Sequence, residues 1–196
     1  MKIIHLSDTH INQEILYNID AQYRFKLALE HIKNNHKDAD NFIITGDLTH
    51  CGNDESYKIF IKILSNARLP DHLYPKLIIG NHDNRENFKK NFPHVKTDTN
   101  GFVQYIEKNE DKAFIFLDTN LADTDAGHLC EKRQQWLKDS LKKEQNNKIY
   151  IFMHHNPLAI GHNDSDDIGL VQREDLKKIL LQYQRSIQHI FFGHQH

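Results

Sequence analysis

Five short apolar runs in this chain are each followed by side chains that can bind a metal or move a proton. Each run is long enough for one buried strand and too short for a helix. The residues that follow the runs are, in chain order, Asp8 with His10, Asp47, Asn81 with His82 and Asp83, His154 with His155, and His194 with His196. Because ligands bind outside the carboxyl ends of the strands in an open α/β sheet, five such ends can bring these side chains into one crevice. The pattern therefore predicts a metal site.

Composition narrows the class of protein. The chain has 196 residues, which fits one domain over residues 1–196, and its formal net charge is −2. That charge leaves no excess of lysine and arginine to hold an extended nucleic acid. No apolar run approaches the roughly 20 residues that span a bilayer, so no membrane contact is expected. The two cysteines lack a metal-binding spacing, and the first strand begins without signal-peptide regions. Both features favour a cytoplasmic location.

Periodicity and capping signals predict the elements between the metal-type residues. Strands are expected at 2–7, 41–45, 76–79, 148–153 and 186–192, with a hairpin formed by 102–106 and 113–117. Helices are expected at 20–37, from Asn53 or Asp54 to a point before Pro70, at 130–144 and at 173–183. The acidic loop 160–171, which contains His162, Asp164, Asp166 and Asp167, is expected at the rim of the site because it would repel a phosphate.

The residue types predict distinct roles at the strand ends. Gly46 allows a sharp turn that projects Asp47 into the crevice, and two carboxylate oxygens suit Asp47 to bridge two cations. Asn81 offers a neutral oxygen ligand, and His82 can donate or accept a proton.

The remaining metal-type residues are interpreted more simply. Asp8 and His10 can point the same way if the backbone between them stays extended. His50 and Cys51 are interpreted as loop residues, and His128 as a surface residue.

Taken together, these motifs resemble those of the calcineurin-like metallophosphoesterases. The resemblance is carried by Asp8-x-His10, Gly46-Asp47, Gly80-Asn81-His82-Asp83, His154-His155 followed by Pro157, and Gly193-His194-x-His196. The stretch Gly46-Asp47-Leu48-Thr49 and the helix around Trp136-Leu137 look like those of bacterial class III cyclic nucleotide phosphodiesterases. The resemblance implies an α/β fold, a four-layer αββα sandwich of two mixed sheets flanked by helices.

The same resemblance implies a centre of two divalent metal ions. Its expected ligands are Asp8, His10 and His196 for one ion, Asn81, His154 and His194 for the other, and Asp47 as the bridge. Such a mixed nitrogen and oxygen set suits Mn, Fe, Zn or Co, with Mn and Fe favoured.

By resemblance, the reaction is hydrolysis of a small phosphodiester by a hydroxide held between the metals, with His82 and Asp47 as catalytic residues. His82 would protonate or stabilise the leaving alkoxide, and Asn81, His82 and His155 would contact substrate. For His155, positioning of the neighbouring ligand is an equal alternative. The favoured substrates are 3′,5′-cyclic nucleotides.

Other functions fit the same motifs. Glycerophosphodiesters, 2′,3′-cyclic nucleotides and phosphomonoesters are alternative substrates. A non-catalytic scaffold is disfavoured because every expected ligand position is filled. Relatives continue past the final histidine with further strands, so we expect carboxyl-terminal strands to be missing here. The resulting sheet edge could promote association, for example as a homodimer.

Overall fold

The structure is a computed structural model that describes residues 1–161 and 166–195. His162 and Asp164 of the acidic loop, and the expected ligand His196, lie outside the described residues. Within the described part of the chain, no helix is long and apolar enough to cross a membrane.

The amino-terminal half forms a three-stranded parallel sheet. Its strands are β1 (Ile3–Leu6), β2 (Asn41–Thr45) and β3 (Lys76–Ile78), paired in that order. Two helices connect them, α1 (Ala21–Asn35) and α2 (Asp54–Ala67), and a 3₁₀ turn (Asp71–Leu73) precedes β3. The side chains of Asp20 and Asn53 cap α1 and α2 by accepting backbone N–H groups of the first turn. The parallel pairing brings the carboxyl ends of all three strands to one edge.

The carboxyl-terminal half forms a four-stranded mixed sheet. Its strands are β4 (Tyr105–Asn109), β5 (Lys112–Phe116), β6 (Lys148–Phe152) and β7 (Ile187–Phe191), in the order β4-β5-β6-β7. The β4–β5 pair is antiparallel and the other two pairs are parallel. Helices α4 (Glu131–Glu144) and α5 (Arg173–Gln182) connect its parallel strands, and α3 (Arg85–Asn91) follows β3.

Alternating side chains divide the interior into three apolar layers. Phe42 and Ile44 pack with residues of α1 and α2, whereas Ile43 between them packs against the second sheet. In the second sheet, Ile115 packs with α4 and α5, and Phe116 faces the first sheet. The period of two along each strand thus places helices outside and sheet against sheet inside. The predicted four-layer αββα arrangement is confirmed.

The predicted strand positions hold except in the hairpin. Its first strand is Tyr105–Asn109, three residues later than expected, because side chains bind the backbone before it. The Asp98 carboxylate accepts the Phe102 N–H at 2.9 Å, and the Asp118 carboxylate accepts the Val103 N–H at 2.9 Å. These amides are therefore satisfied without a sheet partner.

Sequence reasoning also missed helix α3. Its signal is Asn84, whose side chain accepts the Asn87 N–H at 2.9 Å as an N-cap. The expectation of a single domain that lacks carboxyl-terminal strands stays a prediction.

The packing between the sheets generates a stability prediction. Phe152 is fully buried and stacks on Phe116 and Phe191 at centroid distances of 5.2 and 4.9 Å. We expect Phe152→Ala to lower the free energy of unfolding by about 3–5 kcal/mol because it leaves a cavity between the sheets. The exposed Leu181→Ala serves as the control and should change it by less than about 0.5 kcal/mol. Urea unfolding measures both, and equal losses would contradict the packing described.

Candidate active site

The loops after β1 and β2 lie side by side and carry the first candidate ligands. The Asp8 N–H donates to Gly46 O at 3.1 Å, and the His10 N–H donates to Asp47 O at 2.9 Å. Asp8, His10 and Asp47 all have positive φ angles, of 57°, 42° and 48°. The expectation of an extended backbone between Asp8 and His10 is therefore wrong. The two side chains reach the site because the loop is bonded to its neighbour in a left-handed conformation.

The carboxylate of Asp47 lies between two histidines. Its Oδ2 is 3.6 Å from His10 Nε2 and 3.4 Å from His154 Nε2, while its Oδ1 accepts the His82 N–H at 2.9 Å. Asp8, His10 and Asp47 each offer a ligand atom within 4.8 Å of the others. This is the central position expected of a bridging carboxylate.

The imidazole of His154 is oriented for a cation. Its Nδ1–H donates to Thr45 O at 2.8 Å, which leaves Nε2 facing Asn81 Oδ1 at 3.0 Å and Asp47 Oδ2. Three acceptor atoms that converge in this way need a positive charge among them. The donor set of nitrogen and oxygen therefore fits a divalent transition metal.

The pKa shifts of His154 and Asp47 agree with the binding of a cation between them. Burial lowers the pKa of His154, but the nearby Asp47 carboxylate raises it, with a net result of about 9. Burial likewise raises the pKa of Asp47, but His154, His10 and the His82 N–H together outweigh burial and lower it. The site thus attracts positive charge, which a bound metal would supply in place of the proton.

Two glycines make room for this arrangement. A Cβ on Gly80 would lie 2.2 Å from Asp47 Oδ1 and 2.7 Å from His154 Nε2. Gly46 has a φ of 91°, and its Cβ would lie 2.6 Å from His154 Nδ1. Any side chain at either position would displace the candidate ligands.

His194 connects the two ends of the chain at the site. Its backbone N–H donates to the Asp8 carboxylate at 3.0 and 3.2 Å, and its Nε2–H donates to Ile168 O at 3.0 Å. Nδ1 is then the nitrogen available to a metal, and the ring lies 5.1 Å from that of His154. Ile168 belongs to the loop 160–171, so part of that loop contacts the site directly. The position of the acidic loop at the rim of the site stays a prediction.

His82 lies beside the proposed bridge. Its Nδ1–H donates to His50 O at 2.8 Å, so Nε2 is the nitrogen that can act on a substrate. Its ring stacks on that of His50 at 4.9 Å and meets that of His10 edge-on at 4.8 Å. His50 was interpreted from the sequence as a loop residue. Nothing in the sequence indicated that its backbone carbonyl would orient the His82 ring.

His155 is fully buried, and both of its ring nitrogens have protein partners. Nδ1 accepts from the Thr119 hydroxyl at 2.8 Å, and Nε2–H donates to Asp125 O at 3.1 Å. The Asp125 carboxylate in turn accepts from the Asn81 amide at 3.2 Å. Of the two roles left open for His155, this geometry favours positioning; contact with substrate stays a prediction.

Two buried residues that had no assigned role hold the Asn81-His82 turn. The Asp83 carboxylate accepts the N–H groups of Leu48 and Gly80, at 3.1 and 3.0 Å, and burial raises its pKa to about 6. The Asn120 amide donates to Gly80 O at 2.7 Å and to Asp83 O at 3.1 Å. Asn120 thus ties the turn after β3 to the end of β5, a contact between distant segments that no local pattern could have indicated.

Arg133 and Asp118 fix the backbone of Asn120. Arg133 Nη1 donates to Asn120 O at 2.9 Å and to the Asp118 carboxylate at 3.3 Å, and both residues are buried. Arg133 Nη2 lies 3.2 Å from His128 Nδ1. His128 is half-buried beside this pair rather than fully exposed.

Two cavities adjoin His82. The first, of about 500 Å³, is lined by the candidate ligands Asp8 and His10 and by the loop and helix that follow β1. The second, of about 490 Å³, is lined by polar and acidic residues that include Asn81 and Asp125. His82 is common to both, so a phosphoryl group near it could extend a substituent to either side.

Comparison with known proteins identifies the family of this chain. A profile of the calcineurin-like phosphoesterase family matches residues 1–196. A protein of Rhodopseudomonas palustris named as a probable cyclic nucleotide phosphodiesterase is 33% identical, covering 100% of this chain and 72% of the relative. A protein of Arcobacter nitrofigilis named as a probable glycerophosphodiester phosphodiesterase is 31% identical, with the same 100% and 72% coverage.

A solved structure supports the fold independently. A Thermus thermophilus protein superposes with a TM-score of 0.58 at 13% identity, covering 97% of this chain and 80% of its own. This chain therefore belongs to the calcineurin-like phosphoesterase family. The prediction of a phosphoric ester hydrolase is confirmed at the level of the family, which uses divalent metal ions.

The position of Asp47 generates a prediction about metal binding. We expect Mn²⁺ to raise the unfolding temperature of the protein, since a metal that binds only the folded state stabilises it, and a chelator to reverse the rise. Asp47→Ala should lose most of the rise because both candidate sites share this carboxylate. The exposed Asp38→Ala should keep it. Differential scanning fluorimetry measures all three, and an undiminished rise in Asp47→Ala would contradict the shared role.

Proposed function

We propose that this chain is a binuclear metal-dependent phosphodiesterase of small phosphodiesters, with 3′,5′-cyclic nucleotides as the favoured substrates. The observation that carries the proposal is the convergence on Asp47. His10 and His154 both lie near its Oδ2, Asp8 lies beside His10, and Asn81 contacts His154. Relatives named as cyclic nucleotide phosphodiesterases support the choice of substrate.

The proposed ligands divide into two sets around that carboxylate. One metal would be held by Asp8, His10 and His196, the other by Asn81, His154 and His194, and Asp47 would serve both. When bound, the two cations lower the pKa of a water and neutralise the charge of the phosphoryl oxygens. Mn or Fe suits this mixture of nitrogen and oxygen donors.

The protein's own groups supply orientation and a proton. The bond from His82 Nδ1 to His50 O directs Nε2 towards the position of a leaving oxygen. In the proposed reaction, a water first releases a proton to solvent, and the hydroxide oxygen then bonds to phosphorus while the P–O bond to the leaving oxygen breaks. His82 Nε2–H delivers a proton to the departing alkoxide. The bond from the His82 N–H to Asp47 Oδ1 fixes the distance between this donor and the metal-binding carboxylate.

Glycerophosphodiesters are the second candidate substrates, because a relative at 31% identity is named as acting on them. Their hydrolysis would use the same metal ligands and the same proton donor. Only the residues that line the cavities would therefore select between them and cyclic nucleotides. We also infer a cytoplasmic location, since Cys51 and Cys130 are free thiols in the structure. We also propose that two copies of this chain can associate as a homodimer.

Hydrolysis assays with a His82→Ala variant test the proposal. The Mn²⁺-loaded wild-type protein should cleave both 3′,5′-cyclic AMP and bis(p-nitrophenyl) phosphate, and a chelator should abolish both activities. His82→Ala should lower kcat for cyclic AMP by about 100-fold or more, the range of general acid catalysis. The loss on bis(p-nitrophenyl) phosphate should be much smaller, since p-nitrophenolate leaves without a proton.

The exposed His72→Ala is the matched control and should leave both rates unchanged. Equal losses on the two substrates would contradict the role of His82 as proton donor. Turnover of bis(p-nitrophenyl) phosphate alone by the wild-type protein would move the proposal to another diester. Turnover of neither would refute it.

A further inference from the structure

The first of the two cavities combines catalytic residues with an apolar wall. Asp8, His10 and His82 line its inner end. Leu16, Tyr17, Ile19, Phe25 and Ala28 line the rest together with polar neighbours. Its volume of about 500 Å³ is within the range of small-molecule sites, roughly 300–1,000 Å³. An apolar cavity that opens onto a phosphoryl site suits an apolar substituent of the phosphodiester.

A strained turn holds one aromatic side chain at this cavity. Tyr17 and Asn18 have φ angles of 52° and 61°, and they join Leu16 to Ile19, which are bridged by an Ile19 N–H to Leu16 O bond of 2.7 Å. Positive φ at both central residues is the pattern of a type I′ turn, and an aromatic residue is uncommon in that conformation. Strain of this kind clusters at functional sites.

Tyr17 is also exposed. Its relative exposure is 86%, and among the described residues no side-chain hydrogen bond or ring contact holds its side chain. The turn itself is anchored nearby, because the Gln22 amide donates to Asn12 O at 2.8 Å. The turn thus presents an aromatic ring that no part of the described chain covers, in the lining of a cavity that His82 also lines.

The second cavity offers a different environment. Its wall includes the acidic residues Glu86, Asp123 and Asp125, together with Asn84 and Arg85. Hydroxyl groups suit such a wall better than a planar apolar ring, which gains from stacking on an aromatic side chain. The contrast assigns a planar aromatic ring to the first cavity and hydroxyl groups to the second.

We propose that the cavity beside Tyr17 is the nucleobase subsite of the enzyme, with the Tyr17 ring stacking on the planar base. This inference rests on the proposed function, and it specifies the substrate class as nucleotides rather than glycerophosphodiesters. Tyr17 is then a specificity-determining residue that contributes to binding and not to the chemical step.

Binding measurements on the metal-loaded protein test this subsite without relying on turnover. The probes are AMP and ribose 5-phosphate, which differ by the base, and calorimetry gives both dissociation constants. In the wild-type protein we expect AMP to bind about tenfold or more tightly than ribose 5-phosphate, as stacking on an aromatic ring provides. Tyr17→Ala should reduce that ratio to about twofold, and Tyr17→Phe should retain it.

Tyr23→Ala is the matched control. Tyr23 is 57% exposed on α1 and does not line the cavity, so the ratio should remain at its wild-type value. The proposed subsite is overturned if the wild-type protein binds both probes equally or if Tyr17→Ala keeps the full preference for AMP. Weak binding of both probes to the wild-type protein would also overturn the subsite, whereas failure of the proposed function would appear as absence of turnover in the hydrolysis assays.

Discussion

The hydrogen bond from His154 Nδ1 to Thr45 O is the contact on which the site depends. It runs from the end of β6 in one sheet to the end of β2 in the other, at 2.8 Å and out of contact with water. Because the bond commits Nδ1 as the donor, Nε2 must face Asp47 and Asn81. Packing of the two sheets thereby becomes a condition for a metal centre, and a shift between them would separate its ligands.

Several residues with a strained backbone lie at the same place. Asp8, His10, Asp47 and His194 all have positive φ, although such angles are uncommon outside glycine. Each of these four residues is a candidate ligand that directly follows a strand or lies within a few residues of its end. The apolar layers hold the strands in place around these conformations, and in the proposed centre a shared cation would offset the strain.

The sequence predicted most of the architecture because alternation and strand-end residues are local signals. These signals indicated a crevice at the carboxyl ends of the strands, and the family resemblance implied the four layers; the ligand roles from Asp8 to His194 stay a prediction. Local signals could not reveal that Asn120 holds the turn after β3, since that contact joins residues 40 apart in the chain. Local signals also could not reveal that the backbone carbonyl of His50 accepts a hydrogen bond from His82. The hairpin was misplaced because Asp98 and Asp118 satisfy amides that a pattern of apolar residues assigns to a strand.

The central claim is that Asp47 is shared by two metal ions. Anomalous diffraction from crystals of the full chain grown with Mn²⁺ tests it most directly. The account predicts two anomalous peaks about 3.5–4 Å apart, with the Asp47 carboxylate between them, as in other two-metal sites. A single peak, or two peaks of which either lies beyond the reach of Asp47, would contradict it.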